Sequence, residues 1–133
     1  MTDLVVDSSA LIAIMLGEPE EATFRAALST CERPAMSAFS VLETSVAARR
    51  RVSVNADDDV SALLEHYGVE VVPFDAYHLA VARDVWGRYG KGRHPARLNL
   101  GDCCAYAAAS VLGAPLLCKG DDFAQTDLPL VDW

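Results

Sequence analysis

The sequence predicts an α/β fold in which a short central parallel sheet is flanked by helices on both faces. Short apolar runs alternate along the chain with longer segments of helical periodicity, a pattern typical of parallel sheets covered on both sides. Hydrophobic residues make up 52% of the chain and charged residues 23%, which is typical of a globular protein. The length of 133 residues suits one domain with its own core, so we expect a single domain over residues 1–133.

The strands are predicted from runs that are short, apolar and bounded by polar or turn residues. The first is 3–6, which ends at Asp7 and has the composition of a buried strand. The other candidates are a short strand at 35–38, a buried strand at 69–73, a strand at 114–118 and a short last strand at 128–131.

The helices are predicted from their caps and inner faces. Ser8 and Ser9 are available to cap the first helix, which ends at Gly17, and Pro19 suits the first turn of a second helix that runs to about Thr30. Further helices are expected over 39–51, after the cap Asn55, after Asp75 and over 101–113, with a polar loop at 90–99. The predicted inner faces are Leu11, Ile12, Met15 and Leu16 in the first helix, Val60, Leu63 and Leu64 after Asn55, and Leu79, Ala82 and Trp86 after Asp75.

Several function classes are excluded or disfavoured by what the sequence lacks. Neither GxGxxG nor GxxxxGK[ST] occurs, so the two commonest nucleotide-binding motifs are absent. The four cysteines form no CxxC pair, and we interpret them as buried small hydrophobic residues in a reducing compartment. The N-terminus has no basic region, and no stretch reaches the roughly 18 uncharged apolar residues of a membrane span. We therefore expect a cytoplasmic protein that does not associate with membranes.

Acidic residues fall at positions where the predicted fold would bring them together. Asp7 ends the first strand, Glu43 lies on a largely apolar helix face, and Asp102 opens the alanine-rich helix. Asp121 and Asp122 follow the strand at 114–118. The carboxyl ends of strands in an open α/β sheet form its ligand crevice, so these side chains are candidates for one site.

Each acid also has a structural explanation. Asp7 can cap a helix, although the neighbouring serines could do so instead, and Asp102 can cap the helix that it opens. Glu43 can pair with an arginine such as Arg50 at the edge of the core. Asp121 and Asp122 can form an ordinary polar turn. The residues considered one at a time leave these alternatives open.

Their combination favours a metal site. Two carboxylates about 4 Å apart repel by about 4 kcal/mol at an effective dielectric near 20, so converging acids must take up protons or bind a cation. A ligand set made only of oxygen favours Mg²⁺ or Mn²⁺ over Zn²⁺. Carboxylate-bound Mg²⁺ is the usual arrangement for hydrolysis of phosphate esters, and no histidine is required.

The residues that carry these acids resemble a known family. The segments VVDSSALIAIMLGEPE, SVLETSVA, HPARLNLGDCCAYAAA and PLLCKGDDFAQTDL occur in the order found in PIN domains, specifically in VapC-type toxins of bacterial toxin–antitoxin pairs. The resemblance covers nearly the whole chain. It implies a PIN-like three-layer fold.

The resemblance also implies an activity and its site. Members are Mg²⁺-dependent endoribonucleases, in which Mn²⁺ can substitute, and they cleave structured RNA such as tRNA or rRNA. Asp7, Glu43 and Asp102 match the metal-binding acids, and the fourth acid falls at Asp121 or Asp122, of which we favour Asp121. Ser8 or Ser9 matches a supporting hydroxyl. Family members are usually homodimers that are inhibited by a cognate antitoxin of the VapB type.

Basic residues cluster near the proposed site despite a net charge of −8. One stretch ends just before Asp102, and a run of three arginines follows Glu43 by about two helical turns. We expect these to form basic rims for RNA, whose phosphates require cationic contacts. Solvent-facing charges without a ligand are the alternative. The candidate RNA-binding residues are Arg49, Arg50, Arg83, Lys91, Arg93, His94 and Arg97.

Two other functions fit the acids less well. A haloacid-dehalogenase-type phosphatase needs a second Asp two residues after the first, where this chain has Ser9. A non-catalytic PIN-fold binding module would have no need to retain carboxylates that repel each other. The binding module is the alternative that we carry forward.

Overall fold

The chain folds as an α/β protein with four parallel strands and six α-helices, and the computed structural model describes residues 1–133 throughout. The strand order in the sheet is β3-β2-β1-β4. The elements in chain order are β1 (Leu4–Val6), α1 (Ser8–Met15), α2 (Glu21–Thr30), β2 (Pro34–Ser37), α3 (Ala38–Arg51), α4 (Ala56–His66), β3 (Glu70–Val72), α5 (Ala76–Tyr89), α6 (Leu100–Leu112) and β4 (Leu116–Leu117), followed by a short 3₁₀ turn at Phe123–Gln125. The predicted α/β class and helix order are confirmed.

The central strand β1 separates two hydrophobic layers. Side chains alternate across a strand, so Val5 joins a cluster built with α5 and α6, whereas Leu4 and Val6 join a cluster built with α1, α2 and α4. All three residues are at most 5% exposed. The sheet therefore has helices on both faces, as a three-layer fold requires.

Two of the predicted strands differ from the structure. β3 lies at the edge of the sheet and pairs with β2 alone, and Val71 is 46% exposed, so the prediction of a buried strand there was wrong. The last strand is reduced to a single bridge between Leu116 and Leu130. A short run of apolar residues does not show whether its strand lies at the edge or in the centre of a sheet, because the adjacent strands come from elsewhere in the chain.

The inner faces of two helices were also assigned incorrectly. In α5 the buried side chains are His78, Ala82 and Val85, whereas Leu79 and Trp86 are 41% and 40% exposed. In α1 the buried apolar residues are Ala10, Leu11, Ala13 and Ile14, and the predicted Ile12, Met15 and Leu16 are only partly buried. The size of a side chain alone therefore does not identify the buried face of either helix.

No helix has the length and apolar character needed to cross a lipid bilayer. The four cysteines are free thiols. Three of them, Cys103, Cys104 and Cys118, are buried, and Cys31 is partly buried. Their packing agrees with the interpretation of cysteine as a small hydrophobic residue.

The carboxyl ends of β1 and β4 lie side by side. The backbone N–H of Asp7 donates to the carbonyl of Leu117 (2.9 Å), which extends the pairing between these strands by one residue. Residues that follow β1 and β4 therefore emerge at the same edge of the sheet, although about 110 residues separate them in the chain.

Candidate functional site

Four carboxylates that form no ion pair line one cleft at this edge of the sheet, together with Glu18, which is paired with Lys119. Asp7 follows β1, Glu43 comes from α3, Asp102 from the first turn of α6, and Asp122 from the loop after β4. The cleft has a volume of about 440 Å³. We call it the acidic cleft. The structure thus brings together the three acids predicted from the sequence.

Asp7 is almost completely buried, with 4% of its surface exposed. Its Oδ2 accepts hydrogen bonds from the backbone N–H and the hydroxyl of Ser9, at 3.1 and 2.6 Å, so Asp7 itself is the N-cap of α1. The suggestion that a serine could cap the helix in its place was wrong. Its Oδ1 is buried and has no hydrogen-bond partner. Burial raises the pKa of Asp7 from 3.8 to about 6, against the lowering effect of Ser9 and with a smaller raising effect from Glu43.

Ser9 connects the two strand ends. Its Oγ donates to Asp7 and accepts from the backbone N–H of Lys119 at 2.9 Å. A single hydroxyl therefore fixes the orientation of the Asp7 carboxylate relative to the segment after β4. Any shift between β1 and β4 would break one of these two bonds.

Glu43 reaches the cleft from the middle of α3 and is half-buried. Its Oε1 accepts a hydrogen bond from the Ser8 hydroxyl at 2.8 Å, so its partner is this serine and not Arg50. Its carboxylate also lies against Gly101 at the start of α6. A Cβ on Gly101 would be 2.0 Å from Glu43 Oε2 and 2.6 Å from its Cδ, so only glycine leaves room for this approach.

Asp102 caps helix α6 and also lines the acidic cleft. It forms a capping box with Asn99: the Asp102 N–H donates to Asn99 Oδ1 (2.8 Å), and the Asn99 N–H donates to Asp102 Oδ2 (3.0 Å). The pKa of Asp102 is raised to about 7, mainly by burial, with the charges of Asp7, Asp122 and Glu43 adding to the rise and the Asn99 N–H opposing it. The capping role considered from the sequence is therefore present, and it does not keep Asp102 out of the cleft.

The fourth acid of the cleft is Asp122. It lines the cleft, and its charge contributes to the raised pKa of Asp102. Asp121 is exposed and does not line the cleft. The preference for Asp121 does not fit this geometry: Asp122 is the one that lines the cleft, two residues after the turn at Gly120, where φ is +98°.

The donor set fits a hard cation, although it is not preassembled around one point. Every charged candidate ligand is a carboxylate, and the unpartnered Asp7 Oδ1 is an acceptor without a donor. No three His, Cys, Asp or Glu side chains lie close enough together to hold one ion directly. Mg²⁺ usually keeps several waters and binds through one or two carboxylates, so this spacing is compatible with a hydrated ion.

Comparison with known families decides the membership of this chain. The PIN domain model matches residues 4–128. The chain belongs to the PIN-domain family. Among characterised relatives, it is 41% identical to Ribonuclease VapC42 of Mycobacterium tuberculosis over 126 residues, which are 94% of this chain and 96% of that protein. It is 40% identical to Ribonuclease VapC of Mycolicibacterium smegmatis over 128 residues, covering 96% of this chain and 99% of that one.

Solved structures share the fold of this PIN domain. VapC20 of Mycobacterium tuberculosis, described as a Sarcin-Ricin loop cleaving toxin, has a TM-score of 0.81 at 18% identity and covers 98% of this chain and 100% of its own. VapBC-1 from nontypeable Haemophilus influenzae has a TM-score of 0.73 at 19% identity, with coverage of 99% and 98%. At these identities the likeness concerns the fold, and the predicted PIN-like three-layer architecture is confirmed.

The basic residues of this PIN domain divide into paired and unpaired groups. Arg49 forms a two-bond ion pair with Asp57. Arg50 is exposed, and the third arginine of the run, Arg51, lines the acidic cleft. Arg83 borders an apolar groove between α5 and α6. The candidate RNA-binding residues included Arg49 and Arg50, and the expected basic rim contained all three arginines of the run, of which only Arg51 lines the cleft.

The basic loop before α6 remains a candidate RNA surface. Lys91, Arg93 and Arg97 are exposed, and the loop leads directly into Asn99 at the cleft. His94 has a structural role in this loop: its Nδ1 accepts from the Ala96 N–H (3.0 Å), and its ring packs edge-on against Tyr89. Its neutral tautomer is required for that acceptor, which argues for a loop anchor more than for a phosphate contact.

Two residues at the cleft were not predicted from the sequence. Asn99 lines the cleft, and Gly101 contacts Glu43. A signal for both was present, since Asn-Leu-Gly-Asp places a good N-cap and a glycine before Asp102.

Proposed function

We propose that this PIN-domain chain is a Mg²⁺-dependent endoribonuclease toxin of a toxin–antitoxin pair that cleaves structured RNA such as tRNA or rRNA. The observation that carries the proposal is Asp7 Oδ1, a buried carboxylate oxygen without a donor, in a cleft shared with three other carboxylates. Support for the RNA substrate comes from the relatives at about 40% identity, which are named ribonucleases.

Three of the four acids accept a hydrogen bond from a neutral donor. Ser9 orients Asp7, Ser8 orients Glu43, and the Asn99 N–H orients Asp102. None of the four forms an ion pair with an Arg or Lys of this chain, so together they would supply negative charge to a bound cation. Mg²⁺, when bound, would activate water and stabilise charge on the reacting phosphate.

A cognate antitoxin of the VapB type and a homodimer are parts of the same proposal. The antitoxin is supported by the similarity to solved VapBC complexes, including one from Salmonella typhimurium bound to DNA, with a TM-score of 0.68. The homodimer rests on the family resemblance alone. A partner that covers the cleft would block RNA, and an Arg or Lys from that partner could pair with the unpartnered carboxylates.

The second candidate is a non-catalytic PIN-fold module that binds a partner. The observation in its favour is that no three ligating side chains are preassembled for one metal ion. This candidate predicts binding without hydrolysis and little response to substitution of the acids.

The test is RNA cleavage by purified chain freed of any antitoxin. Total tRNA and rRNA are incubated with Mg²⁺, Mn²⁺ or EDTA, and Asp7→Asn and Asp102→Asn are prepared in parallel. We expect discrete fragments that require metal, with rates reduced at least about 100-fold in both variants, since removing a catalytic carboxylate commonly costs 10²–10⁴.

A matched control keeps the charge change and moves it away from the cleft. Asp121→Asn removes one carboxylate from the same loop as Asp122, and cleavage should persist. Cleavage that survives Asp7→Asn would place the activity elsewhere or in a contaminant. An absence of both cleavage and Mg²⁺ binding by calorimetry would favour the binding module.

A further inference from the structure

Arg51 faces the same cleft as the carboxylates, from the end of the helix that carries Glu43. The two residues are eight positions apart in α3, which is just over two turns and about 12 Å along the axis. This spacing returns a side chain to the same face of a helix, and Arg51 lines the acidic cleft. The cleft therefore has a cationic position at a fixed distance from its carboxylates.

The other cation of the cleft is already neutralised. The Nζ of Lys119 lies 3.3 Å from Glu18 Oε1 and 3.2 Å from Glu20 Oε1, both in the loop between α1 and α2. Two carboxylates thus surround one ammonium group. Arg51, in contrast, forms no ion pair.

A polyanionic substrate needs such a cation because the cleft is strongly negative. Five acidic residues line it (the four carboxylates and Glu18) against Arg51 and Lys119, in a chain whose net charge is −8. A bound divalent ion offsets part of this charge at one place only. Arginine binds phosphate through two parallel hydrogen bonds, so it also fixes the orientation of the backbone.

A purely structural role would be shared by the neighbouring arginines. Arg49, Arg50 and Arg51 all lie in the last turn of α3, where positive charge stabilises the helix dipole. Among the three, only Arg51 lines the cleft, and Arg49 is bound to Asp57. Arg50, exposed at the same helix end, therefore reports the dipole effect alone in a measurement of stability.

We propose that Arg51 is a substrate-binding residue that holds an RNA phosphate next to the one that is cleaved, and so sets the path of the RNA backbone across the acidic cleft. This rests on the proposed ribonuclease function. Arg51 is offset from Glu43 by about 12 Å along α3, so it meets the RNA away from the bond that is cleaved and should affect RNA binding more than the hydrolytic step.

The experiment measures binding of unfractionated tRNA to uncleaving protein. Asp7→Asn is the background, EDTA is present, and Kd is determined at several KCl concentrations. We expect Arg51→Gln to raise Kd about tenfold and to reduce the slope of log Kd against log salt by roughly one phosphate contact, about 0.7–1. With Asp7 restored and Mg²⁺ added, KM should rise while kcat stays within about twofold.

The control is Arg33→Gln, which makes the same charge change at the opposite end of the sheet. Arg33 is exposed and directly precedes β2. Its Kd and salt slope should match the background. Thermal unfolding of Arg50→Gln and Arg51→Gln should give the same midpoint, since both lie at one helix end.

The outcomes separate the two proposals. If the unmodified chain cleaves RNA but Arg51→Gln binds like Arg33→Gln, the assignment of Arg51 is overturned and the ribonuclease stands. If Arg51→Gln weakens binding but nothing is cleaved in Mg²⁺, the phosphate contact stands and the ribonuclease fails. If tRNA neither binds nor is cleaved, both fail.

Discussion

Two groups of acidic residues in this molecule have opposite environments. Asp127, in the segment after the 3₁₀ turn, accepts from the Tyr106 hydroxyl and lies 3.4 Å from Arg88, which also binds Asp84 at 2.9 Å. The Tyr106 hydrogen bond, followed by the charge of Arg88, lowers the pKa of Asp127. In the acidic cleft, burial and neighbouring carboxylates raise the pKa values of Asp7 and Asp102 to about 6 and 7.

The difference separates an acid that stabilises the fold through its hydrogen bonds from acids whose burial destabilises it. The Asp127 carboxylate is satisfied by groups of this chain, and it fastens the C-terminal segment to α5 and α6. Asp7 leaves one buried oxygen unpartnered, and its nearest charged neighbours are other acids. A buried acceptor without a donor destabilises a fold unless a ligand completes it, so the cleft is where an external cation would bind.

The largest effect expected from this contrast is on stability as a function of pH. The folded chain keeps protons on Asp7 and Asp102 at pH values where the unfolded chain, with a pKa near 3.8, has released them. The free energy of unfolding should therefore fall as the pH rises from about 4 to about 7. The rise of about 2 pKa units at Asp7 corresponds to roughly 3 kcal/mol.

Urea denaturation of metal-free protein at pH 5 and pH 7.5 measures this difference. Addition of Mg²⁺ should restore stability at the higher pH, and Asp7→Asn should flatten the profile. A metal-free protein that is more stable at pH 7.5 than at pH 5 would contradict the raised pKa values of Asp7 and Asp102 in the folded chain. Asp127, with its lowered pKa, contributes stability that is lost only as the pH falls through that pKa.

A smaller effect, on activity, is expected from Gly101→Ala. The added Cβ would displace the flexible end of Glu43, because it would lie 2.0 Å from Oε2. Cleavage of the RNA substrate should fall roughly tenfold or more, since small displacements of catalytic groups are costly. Stability should change by less than about 1 kcal/mol, because the group displaced is the flexible end of a side chain and Gly101 lies in the first turn of α6 and not in its interior.

The rate of RNA cleavage and the midpoint of thermal unfolding, measured on the same preparation of Gly101→Ala, test this prediction. A matched change is Gly87→Ala in α5, where a Cβ has no neighbour within 4 Å. Full activity in Gly101→Ala would mean that Glu43 is not required in its observed position.

The smallest effect is expected from Tyr106→Phe, which tests the region around Asp127. The variant loses the hydrogen bond to Asp127 and a weak contact with Arg88. Stability should fall by about 1 kcal/mol, the usual contribution of one hydrogen bond, while the rate of RNA cleavage stays the same. A loss of cleavage in a fully folded Tyr106→Phe protein would show that the Asp127 region is coupled to the cleft.

Local sequence patterns predicted where helices and strands lie, but they predicted less well which residues of one element contact another element. Asp7, Glu43 and Asp102 were identifiable because each sits where a strand ends, a helix begins or an apolar face turns polar. The choice between Asp121 and Asp122 depended on the backbone at Gly120, which sequence alone does not specify. Leu79 and Trp86 were assigned to the core because of their size, whereas α5 packs on α6 through Ala82 and Val85.

The bond between Ser9 and Lys119 joins residues 110 positions apart, and β1 pairs with β4, which is made last. During translation, β1 leaves the ribosome first and cannot pair with β4 until β4 has been synthesised. Contacts of such long sequence separation form late and slowly in folding. The cleft, which needs Lys119 and Asp122 in place, is therefore incomplete until synthesis has passed Asp122, and a shorter nascent chain holds only part of the proposed metal site.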